Sequence, residues 1–191
     1  MIVGAGTVVN LQQLHDAGTP VGTFIAEPRN GNAGAVGTPT GYLEQVYAAV
    51  RAQGGVNICD EVQMGYGRLG KHFWGFEEHG VVPDIITMAK AMGNGHPLGA
   101  VIARKEIAAA LASGGSFFSA GGGSTLSSRI GVTVLDVIEM EQLQQNADAV
   151  GQVVPEGVRA LMDRHPLIGA VHGRGLYQGV EFVRDRNTLE P

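Results

Sequence analysis

Short apolar runs that end in a polar residue recur along this chain and alternate with segments of helical period. Residues 56–59 are followed by Asp60, and residues 85–89 are followed by Lys90. Short apolar runs separated by helices are typical of strands buried on both faces of a parallel sheet. The pattern therefore predicts an α/β fold in which an acid and an amine lie at the carboxyl edge of one sheet, where ligands bind in open α/β folds.

The predicted elements alternate through most of the chain. Strands are predicted at residues 21–26, 56–59, 85–89 and 100–103. Helices are predicted at residues 41–52, 105–111, 127–139 and 141–162. The order strand, helix, strand at the start of this series is a βαβ unit, which favours a mainly parallel sheet covered by helices.

The C-terminal part of the chain changes in character. Pro155 and Gly157 are expected to kink or interrupt the last predicted helix, because proline lacks the N–H that a helix interior uses. Residues 175–183 alternate apolar and polar side chains, as in a half-exposed strand of a separate α+β unit. We therefore expect residues 1–164 to form part of a large domain and residues 165–191 to begin a small C-terminal domain.

An acid and a lysine at two strand ends suit the chemistry of pyridoxal phosphate. A lysine amine holds the aldehyde of this cofactor as a Schiff base, and a carboxylate keeps its ring nitrogen protonated so that the ring accepts electrons. Lys90 and Asp60 are the candidates for these roles, and a glycine-rich turn at residues 93–99 would let backbone approach the ligand. The alternative is that Asp60 only caps a turn or a helix.

The order of the motifs resembles that of the class III aminotransferases, pyridoxal-phosphate enzymes of the aspartate-aminotransferase fold. The match begins with an apolar residue, any residue and Asp-Glu-Val-Gln at 58–63. It continues without a gap through Gly-Tyr-Gly-Arg at 65–68 and Pro-Asp-Ile at 83–85 to Lys90. The resemblance implies the large domain of fold type I and a small α+β domain after it.

The resemblance also implies roles for single residues. Lys90 would be the Schiff-base lysine and Asp60 the partner of the pyridinium nitrogen. Gln63 would donate a hydrogen bond to the phenolic oxygen of the cofactor, and Val62 would form an apolar floor under its ring. Glu27, which follows the first predicted strand, matches a family glutamate on the substrate side of the cofactor.

One turn departs from the family pattern. After Phe117 and Phe118 the relatives carry a threonine that reaches the cofactor phosphate of the neighbouring subunit, but this chain has Ala120 at that position. Losing one hydrogen bond to a charged acceptor costs about 1.5–3 kcal/mol, which weakens binding without abolishing a covalent anchor. Ser119 or the backbone N–H groups of the following glycines are the candidates to replace it.

Three activities remain open on these residues. Residues 70–74 and 92–97 resemble the branch that holds mitochondrial alanine-glyoxylate aminotransferase and the phospho-lyases of phosphoethanolamine or phosphohydroxylysine. The leading expectation is transfer of an amino group from an amine or amino acid to a keto acid, by a homodimer. The alternatives are a phospho-lyase and a non-catalytic fragment. Family members are roughly twice as long, so a truncated chain that is inactive alone is expected.

Composition excludes several other classes. A net charge of −5 with 16% charged residues argues against nucleic-acid binding, which needs clustered Lys and Arg. Residues 1–9 lack both a basic start and the length of a membrane span, so we expect no signal peptide, no membrane and a cytoplasmic location. The histidines show no metal-binding spacing, and Cys59 is the single cysteine, which rules out an internal disulfide.

The glycines at 65–70 form a literal G-x-G-x-x-G. A dinucleotide fingerprint would begin directly after the strand and open a helix. Here the motif follows Asp60 only after four further residues, and no helical period starts at Gly67. We therefore expect a turn-rich loop at this place and no nicotinamide cofactor.

Overall fold

The computed structural model describes residues 5–190 of the chain. Over that range the α-helices are α1 (Ala5–Asp16), α2 (Tyr42–Ala52), α3 (Lys105–Ser113), α4 (Thr125–Met140) and α5 (Leu143–Met162). The strands are β1 (Thr23–Ala26), β2 (Arg29–Asn30), β3 (Val36–Gly37), β4 (Val56–Asp60), β5 (Ile85–Met88), β6 (Ala100–Ala103), β7 (Ile168–Arg174) and β8 (Tyr177–Phe182). Short 3-10 helices span Gly75–His79 and Lys90–Met92.

The main sheet has the strand order β1-β4-β5-β6. β4 pairs in parallel with β1 and β5, whereas β6 pairs with β5 in the antiparallel direction. The connection from β5 to β6 contains one short 3-10 helix and tight turns, without the helical crossover that a parallel pair needs. The predicted α/β fold with a mainly parallel sheet is confirmed.

Helix α2 packs its apolar face against the main sheet. Leu43, Val46, Tyr47 and Val50 follow the three- and four-residue spacing of one helix face, and each is at most 1% exposed. They form one buried cluster with Cys59 of β4. Burial of side chains of this size contributes about 1.5–3 kcal/mol each, so this cluster fixes the strand that ends at Asp60.

A buried carboxylate joins β4 to β5. Asp84, directly before β5, accepts hydrogen bonds from the backbone N–H of Asn57 at 2.9 Å, from Arg51 at 3.1 Å and from Arg104 at 3.0 Å. Burial alone would raise the pKa of Asp84, but the Asn57 N–H and the two guanidinium groups hold that pKa below its ordinary value. The bond to Asn57 joins β4, which ends at Asp60, to the start of β5, which ends two residues before Lys90.

Helix α5 continues through Pro155 and Gly157, so the expected interruption is wrong, and the expected kink stays a prediction. Proline removes one N–H from the ladder, but packing can outweigh that local loss. Ala147 and Gly151 of α5 are buried, and a Cβ on Gly151 would lie 2.4 Å from the Cα of Gly175. Close packing at Gly151, four residues before Pro155, therefore holds this part of the helix against the chain after β7.

The C-terminal hairpin of β7 and β8 lies against the rest of the fold. Glu78 accepts hydrogen bonds from Arg29 at 2.6 Å and from Arg174 of β7 at 2.6 Å. Burial would raise the pKa of Glu78, but these two arginines lower it below its ordinary value. The predicted C-terminal strand is observed as β8. Strand β7 and helix α1 were not predicted. The domain boundary between residues 164 and 165 stays a prediction. Among residues 5–190 no helix is long and apolar enough to cross a membrane.

Candidate functional site

The parallel strands bring the predicted polar residues to one edge of the sheet. Ala26 of β1 pairs with Cys59 of β4, so Glu27 and Asp60 come at the same level. Asp60 pairs with Thr87 of β5, and the N–H of the next residue donates to the carbonyl oxygen of Thr87 at 2.9 Å. Lys90 follows three residues after Thr87 at the same edge.

Asp60 has one carboxylate oxygen committed to a turn and the other available. Its Oδ1 accepts the N–H of Val62 at 3.0 Å, which is the capping role that the sequence left open. No partner of its Oδ2 is found within residues 5–190. Asp60 and Val62 are both half-buried at the end of β4. The carboxylate can therefore serve the turn and still accept a hydrogen bond from a cationic ring N–H.

Lys90 stands in an unusual backbone conformation beside an open cavity. Its φ is +42°, a region that side chains other than glycine rarely adopt. Strained positions of this kind cluster at functional sites. Its amine makes no hydrogen bond or ion pair with the described residues, and it lines a cavity of about 800 Å³ together with Arg68 and residues 94–99. The cavity is large enough for a cofactor-sized ligand.

The turn after Lys90 is shaped by glycine and anchored by a histidine. A Cβ on Gly93 would lie 2.0 Å from the carbonyl oxygen of His96, so a side chain is excluded there. Asn94 and Gly95 have φ values of +44° and +101°. The Nε2 of His96 lies 2.8 Å from the Oγ of Ser127 in α4, which ties the turn to that helix. His96 therefore has a structural partner on this chain.

Glu61, beside Asp60, is a buried structural carboxylate for which the sequence predicted no role. Its two oxygens accept the N–H groups of Gly75 and Phe76, each at 2.8 Å. Burial raises the pKa of Glu61, and these two N–H groups oppose the rise. They hold the start of the 3-10 helix at residues 75–79 against the end of β4. The sequence signal for this role was the alternation of side chains along β4, which places Asp60 and Glu61 on opposite faces of the sheet.

The side chains of Gln63 and Glu27 both lie beside Gly31, and Gln63 also contacts Tyr177. The carboxylate of Glu27 accepts the N–H of Gly31. A Cβ on Gly31 would lie 2.7 Å from Nε2 of Gln63 and 2.6 Å from the hydroxyl oxygen of Tyr177. The Tyr177 hydroxyl donates to Oε1 of Gln63 at 3.5 Å. Tyr177 was also missed, because only the docked hairpin brings it to this place.

Ser119 lies apart from the cavity that Lys90 lines. It stands in an exposed segment, where its Oγ accepts the N–H of Gly122 at 2.9 Å. Its role toward a cofactor phosphate stays a prediction. Residues 5–190 contain no group of three or more His, Cys, Asp and Glu side chains arranged to hold a metal ion.

Curated relatives match nearly the whole chain. The mitochondrial alanine-glyoxylate aminotransferase 2 homolog 2 of Arabidopsis thaliana is 48% identical over 184 residues, which are 95% of this chain and 38% of the relative. The mitochondrial alanine-glyoxylate aminotransferase 2 of Homo sapiens is 47% identical over 168 residues, which are 88% of this chain and 33% of the relative. The chain thus spans little more than a third of the length of these relatives.

Solved structures share the fold. A phospholyase from Arthrobacter, determined in complex with phosphoethanolamine, superposes with a TM-score of 0.90 at 35% identity and covers 97% of this chain and 44% of its own. An (S)-enantioselective omega-transaminase from Thermomicrobium roseum superposes with a TM-score of 0.85 at 36% identity over 97% of this chain and 42% of its own. The alanine-glyoxylate aminotransferases and the phospholyase, which are the two kinds of enzyme in the predicted branch, are therefore both among the similar proteins.

The expected cytoplasmic location is wrong on these findings. The relatives from Arabidopsis thaliana and Homo sapiens are both named mitochondrial. The expectation rested on the lack of a secretory signal and of a membrane span at residues 1–9. Neither feature bears on import into an organelle, which uses amphipathic, arginine-rich leaders.

The family profile described as Aminotransferase class-III matches residues 5–190. This range includes the sheet edge with Asp60 and Lys90, as well as the C-terminal hairpin. The match agrees with the relatives and with the superposed structures. The chain belongs to the class III aminotransferase family.

Proposed function

We propose that the intact protein transfers an amino group from an amine or amino acid to a keto acid, with pyridoxal phosphate as cofactor. The proposal is supported above all by Asp60 and Lys90, which follow the paired strands β4 and β5 at one sheet edge, and by the cavity of about 800 Å³ that Lys90 lines. The donor set fits the cofactor: an amine without a partner among the described residues, a carboxylate oxygen without one, and a neutral amide. These groups match its aldehyde, ring N–H and phenolic oxygen.

Each residue then has a defined task. When bound, the cofactor supplies a sink for the electron pair that remains after loss of the substrate α-proton. Lys90 would hold the cofactor aldehyde through its Nζ, and the same Nζ would take the substrate α-proton as general base. Asp60 would keep the proton on the ring nitrogen through Oδ2, which has no partner among residues 5–190. Gln63 would donate to the phenolic oxygen, Val62 would form the floor under the ring, and Glu27 would border the substrate.

We also propose that the intact protein is a homodimer in which the segment around Ser119 faces the partner. Support comes from Phe117 and Phe118, whose side chains are 80% and 88% exposed. Adjacent exposed aromatics mark interaction surfaces in soluble proteins. Ser119 lies beside them and would replace the hydroxyl that Ala120 lacks. Analytical ultracentrifugation of the intact protein, with Phe118→Ser as the variant, tests the dimer; a wild-type monomer would contradict it.

Elimination of phosphate is the second candidate function. The Arthrobacter phospholyase, solved with phosphoethanolamine, superposes on 97% of this chain. Both reactions start with removal of the same proton, and a phosphate on the adjacent carbon would leave before the nitrogen is transferred. We place aminotransfer first because the relatives at 47–48% identity are named aminotransferases.

Two substrate assays on the intact protein separate these functions. The first offers phosphoethanolamine without a keto acid and measures free phosphate. The second offers alanine with glyoxylate and measures the exchanged amino group. Aminotransfer in the second assay with little phosphate in the first is expected. Sustained release of phosphate without amino exchange would reverse the ranking, and inactivity in both assays would favour a non-catalytic chain.

A further inference from the structure

Tyr177 reaches the candidate site from the C-terminal hairpin. It is the first residue of β8, and its hydroxyl donates to Oε1 of Gln63 at 3.5 Å. A Cβ on Gly179, also in β8, would lie 2.0 Å from the carbonyl oxygen of Gly34. The backbone of β8 therefore lies directly on the loop between β2 and β3, which sets the distance of Tyr177 from the sheet edge.

The hairpin is also fixed just before Tyr177. The N–H of Leu176 donates to the carbonyl oxygen of Arg68 at 3.0 Å. On the preceding strand, Arg174 is paired with Glu78 at 2.6 Å. Because the backbone is held on both sides, the position of the phenol ring is set by the fold and not by a free rotation of the hairpin.

Gly31 makes room for the contact. The Nε2 of Gln63 and the hydroxyl oxygen of Tyr177 both lie within 2.7 Å of the place that a Cβ on Gly31 would take. Any side chain there would push the amide and the phenol apart. Glu27 holds this glycine by accepting its N–H. Three distant parts of the chain thus build one small pocket for the Gln63 amide.

The Tyr177 hydroxyl keeps its proton at neutral pH. Burial raises its pKa, the nearby carboxylate of Glu27 raises it further, and Arg68 opposes this in part. A protonated phenol can donate to the amide oxygen. Because the amide oxygen of Gln63 accepts from the phenol, its NH₂ group is the end that can donate to an anionic oxygen.

We propose that Tyr177 is a positioning residue for Gln63, whose hydroxyl holds the amide with its NH₂ group toward the phenolic oxygen of the cofactor. This inference rests on the proposed function, since it concerns the same cofactor site. Without the hydroxyl, the amide is free to rotate and to turn its oxygen toward the cofactor, which would oppose the anionic form. Because Tyr177 belongs to the C-terminal hairpin, the docking of that hairpin would also affect the ionisation of the phenolic oxygen of the cofactor.

The test is a pH titration of the absorbance of the bound cofactor in the intact protein, with Tyr177→Phe as the variant. A hydrogen bond to the ionised phenolic oxygen favours that form, so a weaker donor moves the absorbance midpoint to higher pH. We expect the midpoint to rise by about 0.5 pH or more. Tyr42→Phe is the matched control, because Tyr42 lies on α2 and its hydroxyl donates to Thr7. A midpoint equal to wild type in Tyr177→Phe would overturn the inference.

A second background isolates the pair. In Gln63→Leu the amide is absent, so adding Tyr177→Phe should leave the midpoint where Gln63→Leu put it. An equal rise in both backgrounds would show that Tyr177 acts without Gln63 and would overturn the proposal. If Tyr177→Phe does not fold, Tyr177→Leu should give the same rise, and a wild-type midpoint there would overturn the proposal equally.

Borohydride labelling distinguishes failure of the proposed function from failure of the positioning role of Tyr177. Borohydride reduction of the wild-type protein should leave the cofactor on Lys90. If no label forms there, the cofactor assignment itself fails. If Lys90 is labelled in wild type and in Tyr177→Phe and the midpoints agree, only the positioning role fails.

Discussion

Replacing Glu61 with Gln weakens the attachment of the 3-10 helix at residues 75–79 to the end of β4. The Glu61 side chain is 1% exposed, and its oxygens accept the N–H groups of Gly75 and Phe76, each at 2.8 Å. A Gln amide has one oxygen, so one of these N–H groups must face an NH₂ group. Losing one bond to a charged acceptor and weakening the other costs about 2–4 kcal/mol at a buried site.

Hydrogen–deuterium exchange of the peptide that contains Gly75 and Phe76 measures this loss. A fall of about 2–4 kcal/mol in the free energy of local opening accelerates exchange about 30-fold to 1,000-fold. Glu77→Gln is the matched control. Glu77 is exposed and accepts the N–H of Trp74 at 2.8 Å, so its replacement should change exchange only a few-fold. Equal acceleration in Glu61→Gln and Glu77→Gln would refute the structural role of Glu61.

Three further predictions concern the site, the ion pairs and the chain alone. Asp60→Asn keeps the shape of the side chain but removes the charge that holds the ring proton, so the cofactor should stay bound while kcat falls about 100-fold or more; near-normal kcat with normal cofactor absorbance would remove Asp60 from the mechanism. The pKa values of Asp84 and Glu78 are lowered in the fold, so the stability they contribute is present above the ordinary carboxylate pKa of about 4 and is lost as the pH falls below it. Urea titrations at stepped pH should show this loss reduced in Asp84→Asn, and an unchanged pH dependence would contradict it. In the chain alone the side chains of Ile25, Val101 and Ile102 are 58%, 64% and 50% exposed. Light scattering should therefore show association of the chain, and an absorbance titration should show weak cofactor binding. A soluble monomer with a sharp melt would contradict this prediction.

The sheet edge was predictable because its signals are local. Apolar runs of four or five residues mark β4 and β5, and the residues after them are read directly from the sequence. Parallel pairing then puts Asp60 and the segment before Lys90 at the same level. The resemblance supplied roles for these residues, and the roles stay predictions for Lys90, Asp60, Val62, Gln63, Ser119 and Glu27.

The remaining features depend on contacts between distant parts of the chain. Pro155 signals a break that packing of α5 overrides. Tyr177 is 114 positions from Gln63, and no pattern in β8 announces that contact. The sequence around Gly31 indicates only a turn, and the close approach of the Gln63 amide and the Tyr177 phenol to this glycine is visible only in the structure. Such contacts arise from tertiary docking, which periodicity does not encode.

Borohydride reduction and peptide mapping of the intact protein incubated with pyridoxal phosphate test the central claim most directly. The reduced cofactor should be found on Lys90, whose amine has no partner among residues 5–190 and lines the cavity of about 800 Å³. Lys105→Ala should label as wild type, and Lys90→Ala should not be labelled. A label on Lys71 or Lys105 in the wild-type protein, or a Lys90→Ala variant that is still labelled, would contradict the assignment of Lys90 as the residue that holds the cofactor.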